Sequence, residues 1–249
     1  MNGQGAGRNE QGARGKKGRI DFVLLVRLPV RGMVKRRLAA GIGNAPANEL
    51  YRRFVGDMLS TFEKASIRPV ICHHPPGAAG AVRRWLGPRY RLLAQRGRDH
   101  PGRLRRAFED LFANGADNVL IFASDVPDLP ARTIRAAARA LDRCEAVLGQ
   151  SGDGGYYAIG FRRASFVPGA FTGIAWSTER AFVQTAEKIR MAGRSLHILP
   201  RRYDIDTAGD LGAFVRRNRK TGSSRSHTMA YLRRHPGLVR LRPGAVDGA

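Results

Sequence analysis

The sequence predicts a single α/β domain: a mostly parallel central sheet with helices on both faces and a small antiparallel addition. Three observations predict it. Short, near-continuous runs of Val, Ile and Leu recur, as in FVLLV at 22–26 and NVLIFAS at 118–124, and such runs suit strands buried on both faces. Longer segments of helical period separate them, the rhythm of βα units joined by crossovers. The chain of 249 residues, 43% of them hydrophobic, is long enough for one sizeable core.

The elements follow in order. Residues 1–19 are rich in glycine and nearly free of apolar side chains, so they bury nothing and read as a disordered basic leader. The first strand is IDFVLLV (20–26), followed by the helix ANELYRRFVGDMLSTFEKA (47–65) and the strand PVIC (69–72). Then come helix GRLRRAFEDLFANG (102–115), strand NVLIFAS, helix ARTIRAAARALDR (131–143) and strand EAVLG (145–149). After Gly149 long helices drop out. GYYAIGF (155–161) and the segment around GIAWS (173–177) are therefore expected as antiparallel additions near the sheet edge. A helix over about 177–191 is expected next, with Ser177 or Thr178 as N-cap and Glu179 in the first turn. SLHIL (195–199) reads as a strand and TAGDLGAFVRRN (207–218) as a helix. Residues 219–249 read as a basic, partly disordered tail with one short helical piece, HTMAYLRRH (227–235). The folded domain expected from these limits spans 20–218.

The formal charge of +24 raises the question of nucleic acid. Half of that excess sits in the two termini, and the rest is scattered over helix faces without the interleaved aromatics of a single-strand platform. The pattern argues against a dedicated nucleic-acid binder and for attraction of phosphorylated small molecules. Cys72 and Cys144 lie in apolar runs with no CxxC spacing, and are expected as reduced core residues of a cytoplasmic protein. FVLLV is too short for a signal-peptide core or a membrane span, so neither export nor membrane insertion is expected.

In open parallel sheets, ligands bind beyond the carboxyl ends of the strands. Four such loops hold unusual residues. In RLPVRGMVKRRLA (27–39), Pro29 and Gly32 shape a turn beside Lys35, Arg36 and Arg37, which can cradle a phosphate or simply be solvated charges at a helix start. In SDVPDLP (124–130), Asp125 stands where a diphosphate-bound Mg2+ or Mn2+ needs a hard oxygen ligand, although pairing with a nearby cation explains it equally well. In GQSGDGGYYAIG (149–160), Gly152, Gly154 and Gly155 bracket Asp153, which permits close approach of backbone to ligand or an ordinary hairpin turn. In RRYDIDTAGDL (201–211), Asp204, Asp206 and Asp210 cluster at a helix start; Asp206 or Thr207 can cap it, and Asp210 suits a structural role.

The order PVRGMVKRRL, ASDVPDL, GDGGYYAIG, AWSTERAF, YDIDTAGDL resembles the DUF2064 family of GT-A-like glycosyltransferases, the radical-SAM/selenodomain-associated transferase type 1 group. The resemblance covers about residues 20–215. It implies the nucleotide-diphospho-sugar transferase fold, shared with molybdenum-cofactor nucleotidyltransferases and phospholactate guanylyltransferase. By this resemblance Asp125 and Asp206 are metal ligands for Mg2+ or Mn2+, and Lys35 and Arg37 face phosphate, with Pro29, Gly32 and Ser124 beside them. Asp153, Gly154, Gly155 and Tyr156 match a D-G-G-Y turn, and Trp176, Ser177 and Thr178 a W-S-T segment, both on the acceptor side or lining the pocket. Lys35, Asp125 and Asp153 are the implied catalytic residues. QRGRDHPGRL (95–104) keeps Asp99 and Arg103 of a D-L-G-x-R-M element but has His100 and Pro101 in place of Leu and Gly.

The activity implied is metal-dependent transfer from a nucleotide-diphosphate donor, foremost of a sugar from a nucleotide sugar to an acceptor. Nucleotidyl transfer, from an NTP and a phosphorylated metabolite to an NDP-linked product and pyrophosphate, is the alternative. A binding protein for nucleotides or nucleic acid that has lost catalysis is a third reading, which the basic tails and the altered 99–104 element favour.

Overall fold

The computed structural model describes residues 18–221 and 225–240. Apart from Gly18 and Arg19, the leader expected at 1–19 lies outside the described residues. The chain enters the sheet at β1 (Ile20–Arg27), runs through α1 (Arg36–Ile42) and α2 (Asn44–Lys64), and returns as β2 (Val70–His74). Next come α3 (Ala79–Leu86), the short β3 (Leu92–Ala94), α4 (His100–Ala113), β4 (Asn118–Phe122), α5 (Ala131–Ala140) and β5 (Ala146–Gln150). β6 (Tyr156–Arg162), α6 (Ala181–Met191), β7 (Leu196–Leu199), α7 (Ala208–Asn218), α8 (His227–Arg234) and α9 (Gly237–Arg240) complete it.

The strands form one sheet in the order β3-β2-β1-β4-β6-β5-β7. β1 pairs in parallel with β2 and β4, β2 with β3, and β5 with β7, whereas β6 is antiparallel to both neighbours, β4 and β5. The antiparallel addition therefore lies inside the sheet and not near its edge. Tyr157 to Phe161 are all buried there, which is consistent with an internal strand covered on both faces. The segment around 173–177 is no strand. It follows a 3-10 turn, Pro168–Phe171, and is tied to α6 by the Ala175 N–H, which donates to Gln184 Oε1 at 2.7 Å.

Alternate strand residues feed two cores, one on each face. Leu24 and Val26 of β1 and Leu120 and Phe122 of β4 pack with α1, α2, α5, α7 and α8. Val23, Val119 and Ile121 pack with α4 and α6, around the rings of Phe108, Phe112, Phe161, Phe166 and Phe171. α8 lies against α2 and buries Met229 and Leu232. The carboxylate of Asp57 on α2 accepts the N–H groups of His227 (2.6 Å) and Thr228 (3.0 Å) at the α8 start, which satisfies donors a helix otherwise leaves open. Cys72 is buried and Cys144 partly exposed, and both are free thiols. No helix among the described residues is long and apolar enough to cross a membrane.

Because β6 runs against its neighbours, its first residue, Tyr156, lies at the same edge of the sheet as the last residues of β1, β4, β5 and β7. The loops singled out from the sequence converge there.

Candidate active site

The loop after β1 turns at a buried Pro29, and Gly32 takes a left-handed φ of 78° there. Lys35, also left-handed at φ 48°, directly precedes α1. Its ammonium donates to Asp125 Oδ2 at 2.8 Å and to Asp206 Oδ1 at 2.5 Å. Arg37 donates from Nη2 to the other oxygen of Asp206. The two cations differ in access: the Lys35 side chain is 7% exposed, that of Arg37 68%. Burial alone would lower the Lys35 pKa, but the charges of Asp125 and Asp206 and the hydrogen bonds to both outweigh it and raise it above the usual lysine value. Burial likewise pushes Asp206 up, and Lys35 and Arg37 reverse it, holding the carboxyl below its usual range. Asp125 thus has a positive partner within the chain, and that partner is a lysine.

The loops after β4 and β7 are tied by the Ile205 N–H, which donates to the Asp125 carbonyl at 3.1 Å. Thr207 caps α7: its hydroxyl accepts the Asp210 N–H at 3.2 Å, and Asp210 Oδ2 accepts the Thr207 N–H at 2.8 Å, closing a capping box. Asp210 also accepts the Asp206 N–H at 3.1 Å. With capping supplied by Thr207 and Asp210, the Asp206 carboxylate is left for the site.

The loop after β5 holds Asp153 by its own neighbours: Oδ1 accepts the Ser151 hydroxyl at 2.5 Å and the Gly155 N–H at 2.9 Å. Gly154, at φ 86°, leaves no room for a side chain, since a Cβ there would stand 2.1 Å from the Glu179 Cα. Its carbonyl accepts the Phe182 N–H at 2.9 Å, which docks the turn on the start of α6. Asp153, Asp204 and Asp206 each offer a carboxylate oxygen, all within 4.8 Å of one another. Burial, then the charges of Asp125, Asp153 and Asp206, raise Asp204 from 3.8 to about 7. The nearby cations Lys35 and Arg37 are bonded to Asp125 and Asp206, so negative charge around Asp204 is under-compensated. A cluster of hard carboxylate oxygens with excess negative charge fits Mg2+ or Mn2+.

These acids open on a cavity of about 400 Å3. Its other walls include Leu25, Ile159, Tyr156 and Trp176, with Arg27, Gly155, Ser177 and Thr178 also facing it. The Trp176 ring meets His100 and Tyr156 edge to face, at centroid distances of 5.6 and 5.9 Å. His100 is exposed as a residue, but its ring packs on Trp176, and desolvation there, with the charges of Arg103 and Arg27, lowers its pKa to about 4, so the ring is neutral at neutral pH.

Several expected residues have other placements. Ser124 is buried behind the site, its hydroxyl 3.1 Å from that of Tyr51, which in turn accepts the Arg27 N–H at 2.8 Å. Arg103 stands beside His100 but is absent from the cavity wall. Asp99 is the N-cap of α4, accepting the Gly102 N–H at 2.8 Å, and Pro101 falls in the first turn, where proline is tolerated. The replacements at 100–101 therefore still build a helix start. α6 begins at Ala181, so neither Ser177 nor Thr178 caps it. Ser177 is left-handed at φ 62°, and the Thr178 hydroxyl donates to the Ala175 carbonyl at 2.6 Å while accepting the Arg180 N–H at 3.2 Å. Asp204, Arg27 and His100 were not among the site residues expected. For Asp204 a signal existed: in an extended D-I-D, residues i and i+2 face the same side.

The family model described as "Uncharacterized protein conserved in bacteria (DUF2064)" matches residues 58–178. Among solved structures, the chain is similar to a protein from Desulfovibrio desulfuricans G20 provisionally assigned as a nucleotide-diphospho-sugar transferase. The two are 37% identical with a TM-score of 0.84, over 89% of this chain and 96% of that one. Two more distant structures share the fold. A cytidylyltransferase from Leptospira borgpetersenii serovar Hardjo-bovis has a TM-score of 0.53 at 10% identity, over 93% of this chain and 100% of that one. Rv0371c from Mycobacterium tuberculosis H37Rv, in a complex with manganese, has 0.50 at 18%, over 81% and 100%. No curated protein matches the sequence.

Proposed function

The chain belongs to the DUF2064 family, and we propose that it is a metal-dependent transferase that uses a nucleotide-diphosphate donor, passing the sugar of a nucleotide sugar to an acceptor. The observation that carries this reading is the convergence of the Asp153, Asp204 and Asp206 carboxylates on one cavity at the carboxyl edge of the sheet, with Lys35 and Arg37 bonded to Asp206 behind that wall. The provisional assignment of the 37% identical relative supports sugar transfer.

Mg2+ or Mn2+ held by Asp153, Asp204 and Asp206 would act as a Lewis acid that offsets charge on the leaving phosphate. The chain's own residues do the rest. Lys35 holds Asp125 and Asp206 in place, with two of its three N–H groups committed to them. Arg37, largely exposed, presents its remaining donors to donor phosphates, where a planar guanidinium binds well. Tyr156, Trp176 and Ile159 supply apolar surface that excludes water from the acceptor side. Neutral His100 can accept a hydrogen bond from an acceptor hydroxyl. A cytoplasmic setting fits the two free thiols.

Nucleotidyl transfer is a second reading, favoured by Arg27 on the cavity wall, a further cation suited to a leaving pyrophosphate. Incubating the purified chain and Mn2+ with panels of nucleotide sugars and NTPs separates the readings. NDP release from a nucleotide sugar supports sugar transfer, pyrophosphate release from an NTP supports nucleotidyl transfer, and binding without turnover supports an inactive binder.

A further inference from the structure

The two segments that bring Asp125 and Asp204 to the active site also line, a few residues away, a second and larger cleft of about 630 Å3. Pro127 and Asp128 enter it from one segment, and Arg201, Arg202 and Tyr203 from the other. Its floor is strongly basic: Lys64, Arg132, Arg201, Arg202, Arg217 and Arg225 line it, against Asp57, Glu63 and Asp128. Two of those acids are consumed internally. Asp57 accepts the N–H groups at the start of α8, and Asp128 accepts Arg217 Nε at 3.0 Å and Asn218 Nδ2 at 2.9 Å. Glu63 is exposed and stands 4.0 Å from Arg89, a residue that does not line the cleft.

Several of these cations are held in place before any ligand arrives. Arg201 donates to the Gly152 carbonyl at 2.7 Å and lies 5.7 Å from the centre of the Tyr203 ring. Arg217 stands 5.2 Å from the same ring while it pairs with Asp128. Arg202 is also tethered, its Nη2 donating to the Thr133 hydroxyl at 3.5 Å. Guanidinium planes fixed in this way suit bidentate recognition of phosphate.

We propose that this cleft is a second binding site, separate from the active site, for a small ligand carrying two or more phosphate groups. Its size suits a nucleotide-sized molecule. A single nucleic-acid strand suits it less well, because among the described residues that line it Tyr203 is the one Tyr, Phe or Trp ring, and one ring makes no stacking platform for successive bases.

The test uses the full chain, inorganic tripolyphosphate as probe, calorimetric detection and chelator in place of divalent ions. The comparison is with a Lys64→Ala, Arg132→Ala double variant, whose replaced side chains are both exposed and lie outside the active-site cavity. Tripolyphosphate should bind wild type with an affinity that falls steeply with salt, and the variant about tenfold or more weaker. Mn2+-supported binding of a nucleoside diphosphate should be unchanged in the variant. Equal tripolyphosphate affinity in both proteins, or no binding to wild type, overturns the proposal. So does tighter binding of a short single-stranded RNA that is lost in the same variant, since the cleft would then belong to nucleic acid.

Discussion

Replacing Lys35 with Met keeps most of the side-chain volume and removes the charge at the centre of the site. In the wild type that ammonium, 7% exposed, is bonded to Asp125 and Asp206, whose side chains are 28% and 20% exposed. Breaking a buried ion pair from one side costs about 3–5 kcal/mol, because the remaining charge stays desolvated. Two features reduce that figure here: the carboxylates keep part of their hydration, and Arg37 still pairs with Asp206. The expected loss is about 2–3 kcal/mol, a large share of a typical domain's stability. Urea unfolding followed by far-UV circular dichroism measures it. Adding Asp125→Asn to Lys35→Met should recover about 1 kcal/mol or more, since the second change removes the orphaned charge. A Lys35→Met stability within about 0.5 kcal/mol of wild type, or a double variant whose losses simply add, would refute the view that Lys35 is the counter-charge organising the site.

Gly154→Ala should lower stability by about 1–3 kcal/mol, because a Cβ at φ 86° meets the Glu179 backbone, and the near-ultraviolet signal of Trp176 should change as α6 shifts. An unaltered melting temperature would show that the turn is not docked as described. Leu232→Ala should cost about 2–4 kcal/mol, since the side chain is 4% exposed between α8 and the core, and thermal unfolding reads it. Thr207→Ala should cost about 1 kcal/mol through loss of the α7 cap, with no change in the far-UV spectrum of the folded state.

The sheet was legible because its strands are buried on both faces, so runs such as FVLLV and NVLIF stand out from helices of 3.6 period. The place of β6 was not legible. GYYAIGF announces a buried strand, but its position between β4 and β5 depends on pairings that residue types do not encode. β3 has three residues, all half-buried, and gives no run to detect. At the site, the loops were legible because glycine, proline and aspartate fall directly after strands. Partners were harder to read. Lys35, 90 residues from Asp125 and 171 from Asp206, meets both only once the sheet has formed. Ser124 precedes Asp125 by one residue, yet the backbone turns it toward Tyr51 in the interior. Asp204 stands two residues before the expected ligand Asp206, so the D-I-D spacing puts both on one side, but its proximity to Asp153 and Asp125 emerges only in the fold.

The divalent-ion site proposed at Asp153, Asp204 and Asp206 can be tested by calorimetric titration of a nucleoside diphosphate with and without Mn2+. In wild type, Mn2+ should raise affinity by about tenfold or more, as a charge-assisted contact to phosphate is worth roughly 1.5–3 kcal/mol. Asp204→Asn should lose that gain while melting no lower than wild type, because the carboxyl it replaces is disfavoured in its charged form by burial and by neighbouring carboxylates. A wild-type affinity indifferent to Mn2+, or an Asp204→Asn protein that keeps the full gain, would contradict the account.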